Sequence, residues 1–292
     1  MGGKLIVVVG PTGVGKSAYA LQLAQRYSTV IVSADSRQIY RGMAIGTDAP
    51  TGDVLMAVPH FFIQCREVWE TYSADEWAKD ALALIDELFT KHEIIVMVGG
   101  SMMYLQAFLE GFDPIPSPSD ELRNDLWERF EKKGVESLRS ELEHVDPEYL
   151  TKIDPNNHKR IIRALEVYHT TGQPFSAFHS HKKRRQFGYD VEVHHVFRER
   201  AVLYERINQR VHQMVADGLV AEAEALLPYR NENALNTIGY KEMFQYLDGE
   251  ISLEQAVQKI AKNSRVYARQ QENFFRRWQG SYSPFTNHTI AL

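Results

Sequence analysis

The sequence has only one cysteine, Cys65, among its 292 residues. A single cysteine excludes an intramolecular disulfide and a cysteine-based zinc site, including a zinc-finger extension. No run of about 18 apolar residues occurs, which argues against a transmembrane helix. The first residues, Met1–Lys4, lead directly into an apolar stretch and lack the layout of a signal peptide. From these absences we expect a soluble protein of the cytoplasm that does not associate with membranes.

The composition is that of a folded globular protein. Hydrophobic residues make up 44% of the chain and charged residues 24%, which excludes disordered and fibrous classes. The length suggests about two domains and suffices to bury a core.

The charge is unevenly distributed. The formal net charge is −5, yet His158–Arg185 contains seven lysines and arginines against one acid, and Lys262–Arg277 contains five against one. Basic segments on an otherwise acidic protein indicate a polyanionic partner. The simpler alternative for each segment is a solvated helix face.

The first hundred residues alternate between two patterns. Short β-branched runs predict buried strands, and the segments between them have helical periodicity. The predicted elements are strands at Lys4–Val9, Thr29–Val32 and Ile94–Val98, and helices at Lys16–Tyr27 and Ser73–Thr90. This alternation is typical of an α/β fold with a parallel sheet.

The pattern changes at the proline-rich segment Asp113–Ser119, which predicts a linker. From there to about residue 180 only helical signals occur. Val191–Phe197 then predicts a returning strand, and amphipathic helices follow it. We therefore predict an α/β core formed by residues 1–112 and 190–292, interrupted by an all-helical insertion domain at residues 113–189.

The turn after the first strand matches a phosphate-binding loop at every required position. Its residues are Gly10, Pro11, Thr12, Gly13, Val14, Gly15, Lys16 and Ser17, in the order G-x-x-x-x-G-K-[ST] between a strand and a helix. Backbone amides and the helix N-terminus attract phosphate, Lys16 reaches terminal oxygens, and Ser17 is a candidate ligand for Mg²⁺. The pattern predicts a P-loop NTPase-like core that binds a di- or triphosphate.

The acidic residue that a nucleotide hydrolase needs is not at the end of the third strand, where the sequence reads Val98-Gly99-Gly100-Ser101. A carboxylate, Asp35, instead follows the second strand. Strand carboxyl ends face the ligand crevice of a parallel sheet, so Asp35 is a candidate catalytic residue. Its alternative role is to cap the following turn.

Two classes remain open on these motifs alone. A small-molecule P-loop kinase shares the loop and the early Asp but does not account for the basic helical insertion or for the lack of a second carboxylate. A GTPase-like switch or a non-enzymatic nucleic-acid-binding protein is the other class. A GTPase-like switch would need a guanine-reading Asn-Lys-x-Asp motif, which the sequence does not contain.

Longer sequence blocks, in the same order as in a known family, closely resemble the tRNA dimethylallyltransferases (tRNA isopentenyltransferases) of the bacterial type. The blocks cover residues 33–47, 58–60, 72–74, 98–105, 156–168, 171–176, 210–214, 218–219, 238–242 and 264–271. The chain departs from the family pattern at several positions, among them Ala44, Ser101 and Gln270. None of these lies in the proposed catalytic set.

The resemblance implies transfer of a dimethylallyl group from its diphosphate to the exocyclic amine of the adenosine on the 3′ side of the anticodon. Residues Gly10–Ser17 would then hold diphosphate, with Thr12, Lys16 and Mg²⁺ on Ser17 stabilising the leaving group. Arg210 matches the arginine that closes over the diphosphate. Asp35 would act as the general base, which is worth about 10²–10⁴-fold in rate.

The resemblance also implies tRNA contacts through the anticodon stem-loop. The matching positions are Asp35, Ser36, Arg37, Gln38, Ser101, Arg123, Lys159, Arg160, Ile161, Ile162 and Arg163. We expect the basic segment Lys182–Arg185 and the C-terminal basic helix to add phosphate contacts, and the protein to be a monomer. A related alternative is an adenylate isopentenyltransferase, which prenylates free nucleotide.

Overall fold

The computed structural model describes residues 2–111, 115–116, 118–179, 185–281 and 286–292. Contacts within the chain group these residues into two compact units. The first unit comprises residues 1–109 and 186–292, and the second comprises residues 110–185. We call them the sheet unit and the helical unit.

Six strands form one sheet in the sheet unit. They are β1 (Lys4–Val9), β2 (Ile31–Ser33), β3 (His60–Phe61), β4 (Ile94–Gly99), β5 (Asp190–Phe197) and β6 (Thr286–Ala291). Their order is β3-β2-β4-β1-β5-β6, and every pair of neighbours is parallel. The predicted parallel sheet is therefore confirmed, with β1 near its centre.

The described part of the chain contains eleven α-helices. They are α1 (Lys16–Arg26), α2 (Gly52–Ala57), α3 (Ala74–Leu88), α4 (Met102–Leu109), α5 (Asp120–Val145), α6 (Pro147–Leu150), α7 (His158–Thr171), α8 (Arg200–Ala216), α9 (Leu219–Leu226), α10 (Tyr240–Leu247) and α11 (Leu253–Ser281). Among the described residues, no helix is both long and apolar enough to cross a membrane.

Strand β1 divides the core of the sheet unit because successive side chains of a strand point to opposite faces. Leu5, Val7 and Val9 belong to a cluster that includes side chains of α3, α4, α10 and α11. Ile6 and Val8 belong to a second cluster with side chains of α1 and α8. A strand that is buried on both faces has a continuous run of apolar residues. This run is the reason that β1 could be predicted from the sequence.

The helical unit has its own core. It is built from α5 and α7 and includes Leu126, Leu138, Leu142 and Leu165. Helix α5 is bent at Gly134, where φ is 72° and ψ is −175°. Because only glycine adopts this conformation without strain, Gly134 sets the bend.

Four elements were not predicted from the sequence. They are helices α2 and α4, the two-residue strand β3 and strand β6. Strand β6 reads Thr-Asn-His-Thr-Ile-Ala and is mostly exposed, so it lacks the apolar alternation that marks a strand. Backbone pairing with β5 holds β6 in the sheet, and the sequence of β6 does not indicate this pairing.

Candidate active site

The phosphate-binding loop connects β1 to α1, and its glycines are required by the backbone. Gly10, Gly13 and Gly15 have φ angles of 155°, 79° and 108°, a region that other residues rarely adopt. A Cβ atom at Gly10 would also lie 2.5 Å from the backbone oxygen of Val196. The loop therefore has the tight curvature that lets backbone amides surround a phosphate.

Two arginines that sequence reasoning missed hold the outer side of this loop. Arg206 donates from Nε to the carbonyl of Gly13 at 3.0 Å. Arg198 donates from Nε to the carbonyl of Val14 at 3.2 Å. The carbonyl oxygens carry partial negative charge beside an anion site, and the two arginine cations offset that charge. The only sequence signal was a cluster of arginines at the start of α8.

Gln271 of α11 fixes the inner side of the loop and was also missed as a site residue. Its Oε1 accepts from the amide of Thr12 at 2.8 Å, and its Nε2 donates to the carbonyl of Gly100 at 2.8 Å. The residue is only 2% exposed. Gln271 thus ties the phosphate-binding loop to the end of β4 through one side chain.

Lys16 is half-buried at the first position of α1. Its Nζ donates to the carbonyl of Pro11 at 2.9 Å. Burial lowers the pKa of Lys16 to about 8; Asp35 opposes this shift, and the Arg210 charge adds to it. Because a bound diphosphate would supply the missing counter-charge, the loop is electrostatically suited to an anion.

Arg210 of α8 reaches the same loop. Its guanidinium donates to Thr12 Oγ1 at 2.6 Å and pairs with Asp48 at 3.2 Å. Its Nε is buried without a hydrogen-bond partner among the described residues. An unpaired buried donor costs free energy, which an anion in the cleft would recover.

Asp35 follows β2, and its carboxylate caps the following turn, which is one of the two roles that the sequence left open. Its Oδ1 accepts from the amides of Arg37 at 2.8 Å and Gln38 at 3.2 Å, which is a turn cap. No hydrogen bond to Oδ2 is found in the described part of the chain. The cap fixes the carboxylate and leaves one oxygen for a ligand.

The residues after Asp35 make several contacts within the protein. Ser101 Oγ accepts from the amide of Ser36 at 2.8 Å. Gln38 donates from Nε2 to the carbonyls of Thr47 and Asp48, which leaves its Oε1 as the open acceptor. Arg37 donates to the carbonyls of residues 233 and 234. The guanidinium of Arg37 is therefore engaged within the chain.

Glu222 of α9 holds the loop that carries Asp48. Its carboxylate accepts from the amides of Ile45 and Gly46 at 2.8 Å each and from the hydroxyl of Tyr240 at 2.6 Å. Since Gln38 is bound to the next two carbonyls of this loop, Glu222 positions Gln38 and Asp48 together. A single acid in a helix gives no sequence signal for such a role.

Several of these groups line one cleft of about 500 Å³, which we call the phosphate cleft. Its lining includes Thr12, Lys16, Ser17, Asp35, Gln38, Asp48, Arg206 and Arg210. The prediction that no second carboxylate is available was wrong, because Asp48 enters from an irregular loop and not from a strand end.

The oxygen atoms around the loop suit a magnesium ion. Ser17 lines the phosphate cleft together with Asp35 and Asp48. Hydroxyl and carboxylate oxygens, completed by phosphate oxygens and water, are the ligands that Mg²⁺ prefers. The donor set therefore fits the predicted metal, and Ser17 stays its candidate protein ligand.

The helical unit contains the remaining predicted tRNA-contact residues. Arg123 and Arg163 both pair with the carboxylate of Glu166, at 3.2 and 3.1 Å. Glu166 is 5% exposed, so the two arginines compensate a buried charge while each remains about half exposed. Their outer faces are available to a further anion.

The other residues of this stretch differ in exposure. Lys159 and Arg160 are exposed on the first turn of α7. Ile161 and Ile162 are 0% and 2% exposed in the core of the helical unit. The prediction of direct tRNA contact by these two side chains is therefore corrected: they pack α7 and can only position its basic residues. Of the predicted Lys182–Arg185 segment, residues 182–184 lie outside the described residues.

Comparison with known proteins places this site in context. Residues 38–278 match the family model described as IPP transferase. A curated relative from Bacteroides thetaiotaomicron, "tRNA dimethylallyltransferase 1", is 44% identical over 94% of this chain and 88% of its own length. One from Phocaeicola vulgatus with the same name is 45% identical over 94% of this chain and 91% of its own length.

Solved structures agree with these matches. The tRNA isopentenylpyrophosphate transferase of Bacillus halodurans is 36% identical, with a TM-score of 0.69 over 99% of this chain and 90% of that protein. The Staphylococcus epidermidis protein described as a tRNA delta(2)-isopentenylpyrophosphate transferase is 30% identical, with a TM-score of 0.67 over 99% and 93% of the two chains. The predicted α/β fold is thereby confirmed.

Proposed function

Because the chain belongs to the IPP transferase family, we propose that it transfers a dimethylallyl group from dimethylallyl diphosphate to the N6 amine of a tRNA adenosine. The acceptor is the adenosine on the 3′ side of the anticodon, and the second product is diphosphate. One observation carries the proposal: Asp35, Lys16 and Arg210 line the same cleft. A base for the amine thus lies in the same cleft as the cations for the leaving group.

The cations act on the diphosphate. As the bond between the allylic carbon and the bridging oxygen breaks, negative charge grows on that oxygen. Lys16, Arg210 and the loop amides are held in place before the reaction, so they stabilise this charge without reorganising. Mg²⁺ held by Ser17 would neutralise further phosphate charge.

Asp35 acts on the amine. The lone pair of an adenine N6 is delocalised into the ring, so the amine is a weak nucleophile. As N6 bonds to the allylic carbon, its proton passes to the free Oδ2 of Asp35, while Oδ1 stays fixed by the turn amides. The open Oε1 of Gln38 is suited to accept a hydrogen bond from adenine.

The acceptor base must leave its stack to reach Asp35, as bases modified by other enzymes do. We propose that the exposed Lys159 and Arg160 and the outer faces of Arg123 and Arg163 bind tRNA phosphates. These contacts would position the anticodon loop without reading its sequence. We further propose that the enzyme works in the cytoplasm as a monomer.

A transfer assay tests the proposal. Labelled dimethylallyl diphosphate and Mg²⁺ are supplied with unmodified tRNA, with a tRNA in which the adenosine after the anticodon is replaced by guanosine, or with AMP. We expect label in the first tRNA only. Asp35→Asn keeps the shape but loses the base, and should lower kcat by about 10²–10⁴-fold.

Each other outcome would contradict one part of the proposal. Label in AMP would make the chain a nucleotide-prenylating relative. Hydrolysis of ATP without prenyl transfer would indicate a kinase or NTPase. Equal transfer by Asp35→Asn and the unsubstituted protein would remove Asp35 from its proposed role. Asp53→Asn is the matched control, because Asp53 is an exposed acid of α2 that does not line the phosphate cleft.

A further inference from the structure

A second cluster of chemically reactive side chains lies on the sheet outside the phosphate cleft. Glu192 and His194 are two residues apart on β5, and so point to the same face of the sheet. His288 of β6 is the register partner of His194. The ligand atoms of Glu192, His194 and His288 all lie within 4.8 Å of one another. We call these three residues the β5–β6 cluster.

The ligand atoms converge on one point. Glu192 Oε1 lies 2.8 Å from His194 Nε2 and 3.0 Å from His288 Nε2. Around a tetrahedral zinc ion with bonds of about 2.0–2.1 Å, neighbouring ligand atoms are about 3.3 Å apart. A shift of a few tenths of an ångström would therefore open the cluster to a metal ion.

Two of the ligands, His194 and Glu192, already have a hydrogen-bond partner on the side that faces away from the cluster. Tyr19 of α1 is hydrogen-bonded to His194 Nδ1 at 2.9 Å, which leaves Nε2 as the inward-facing nitrogen. Lys4 donates to Glu192 Oε2 at 3.1 Å, which leaves Oε1 facing both imidazoles. Partners of this kind orient ligands in natural metal sites.

From this arrangement we propose that the β5–β6 cluster binds one Zn²⁺ through Glu192 Oε1, His194 Nε2 and His288 Nε2. Two imidazoles favour zinc over Mg²⁺, which prefers oxygen ligands. His194 is buried and His288 is about half exposed, so a water molecule can complete the coordination from the open side. The ion would join β6, the last strand, to β5.

This site is separate from the reaction proposed above. None of the three ligands lines the phosphate cleft, so removal of one should leave prenyl transfer unchanged. Metal binding at the cluster would strengthen the attachment of β6 to β5. Its test therefore measures metal binding and unfolding, not activity, and its outcome does not depend on the proposed function.

Isothermal titration of the chelator-treated protein with zinc chloride tests the proposal. We expect one Zn²⁺ per chain and a higher unfolding temperature in its presence. His288→Ala should weaken binding by more than the roughly 10–100-fold that loss of an outer partner costs, and Tyr19→Phe should weaken it by about that factor. Co²⁺ should give the visible absorption of a four-coordinate site in the unsubstituted protein but not in His288→Ala.

The control is His144→Ala. His144 is exposed on α5, where its Nδ1 is hydrogen-bonded to the carbonyl of Ser140, so its loss should not change the binding. Because His288 is on an exposed edge strand, His288→Ala is expected to fold, and circular dichroism checks this. Equal zinc binding by His288→Ala and the unsubstituted protein would overturn the proposal. The proposal would also be overturned if the variants unfolded more easily but the unsubstituted protein bound no zinc. The three side chains would then be held together by hydrogen bonds alone.

Discussion

At the scale of single residues, the phosphate cleft shows how a partly buried cation is prepared for an anion. Lys16 is partly buried in the lining of the cleft, so its charge is less well solvated than that of a surface lysine. This burial is the main reason that its pKa falls to about 8, although Asp35 and Asp48 favour the charged form. The substrate diphosphate would then complete a site whose positive charge is poorly compensated.

The pKa of Lys16 predicts an alkaline limit for the reaction. Below pH 8 the ammonium is charged and binds diphosphate, and above pH 8 it is increasingly neutral. We expect kcat/KM for dimethylallyl diphosphate to fall as the pH rises through about 8, because kcat/KM reports the free enzyme. A pH profile between about 6.5 and 9.5 measures this.

Lys16→Arg provides the control for this profile. Arginine stays protonated throughout the range, so the variant should be slower at pH 7 but should lose the inflection near pH 8. An unchanged inflection in Lys16→Arg would assign it to another group.

Residue-scale prediction succeeded where the chemistry depends on a local pattern. The phosphate-binding loop was predicted in full because its glycines, lysine and serine are adjacent in the sequence. Gln271 was missed because its partners, Thr12 and Gly100, are 259 and 171 positions away. A glutamine in an amphipathic helix looks the same whether it faces solvent or a loop amide.

At the scale of elements, helix α11 does more than cover the sheet. Its buried Gln271 joins the phosphate-binding loop to the end of β4, and its apolar residues Phe275 and Trp278 are part of the core. The helix thereby fixes the loop in the shape that binds diphosphate. Site formation is thus coupled to docking of an element near the end of the chain.

Substituting Gln271 tests this coupling. Gln271→Leu leaves the amide of Thr12 and the carbonyl of Gly100 without their partner, and an unsatisfied buried group costs about 1–3 kcal/mol. We expect the free energy of unfolding to fall by an amount of this order. KM for dimethylallyl diphosphate should rise while KM for tRNA changes little.

Gln258→Leu is the matched control on the same helix. Gln258 is exposed and bonds to Glu254 one turn away, so both quantities should stay near those of the unsubstituted protein. If Gln271→Leu lowered stability without changing KM for the diphosphate, Gln271 would be a structural residue only.

At the scale of the whole molecule, charge is segregated by segment. The chain has a net charge of −5, yet the N-terminal turn of α7 presents exposed Lys159 and Arg160. Such a patch on an acidic protein attracts a polyanion locally while the rest of the surface repels it. Binding that depends on a few phosphate contacts should weaken steeply with salt.

Neutralising this patch tests its role. We expect Lys159→Ala/Arg160→Ala to lower tRNA affinity and to reduce the slope of log affinity against log salt by about 1–2, since each phosphate contact contributes about 0.7–0.9. KM for dimethylallyl diphosphate should not change. Filter binding of tRNA over a range of salt concentrations measures the slope.

Lys132→Ala/Lys152→Ala provides a control of equal charge change. Both lysines are exposed in the helical unit and pair with a glutamate four residues earlier, so each neutralises the charge of a neighbouring acid. A salt slope reduced equally by both double variants would indicate a general charge effect and not a binding patch.

The sequence by itself determined the phosphate-binding loop, the parallel sheet and the position of Asp35 at a strand end. These follow from adjacent residues and from the two-residue and 3.6-residue periods of strands and helices. The tertiary structure alone decided that Asp48 is the second carboxylate, that Glu222 holds its loop, and that Ile161 and Ile162 are buried. These outcomes depend on contacts between residues far apart in the chain, which leave no pattern in either segment.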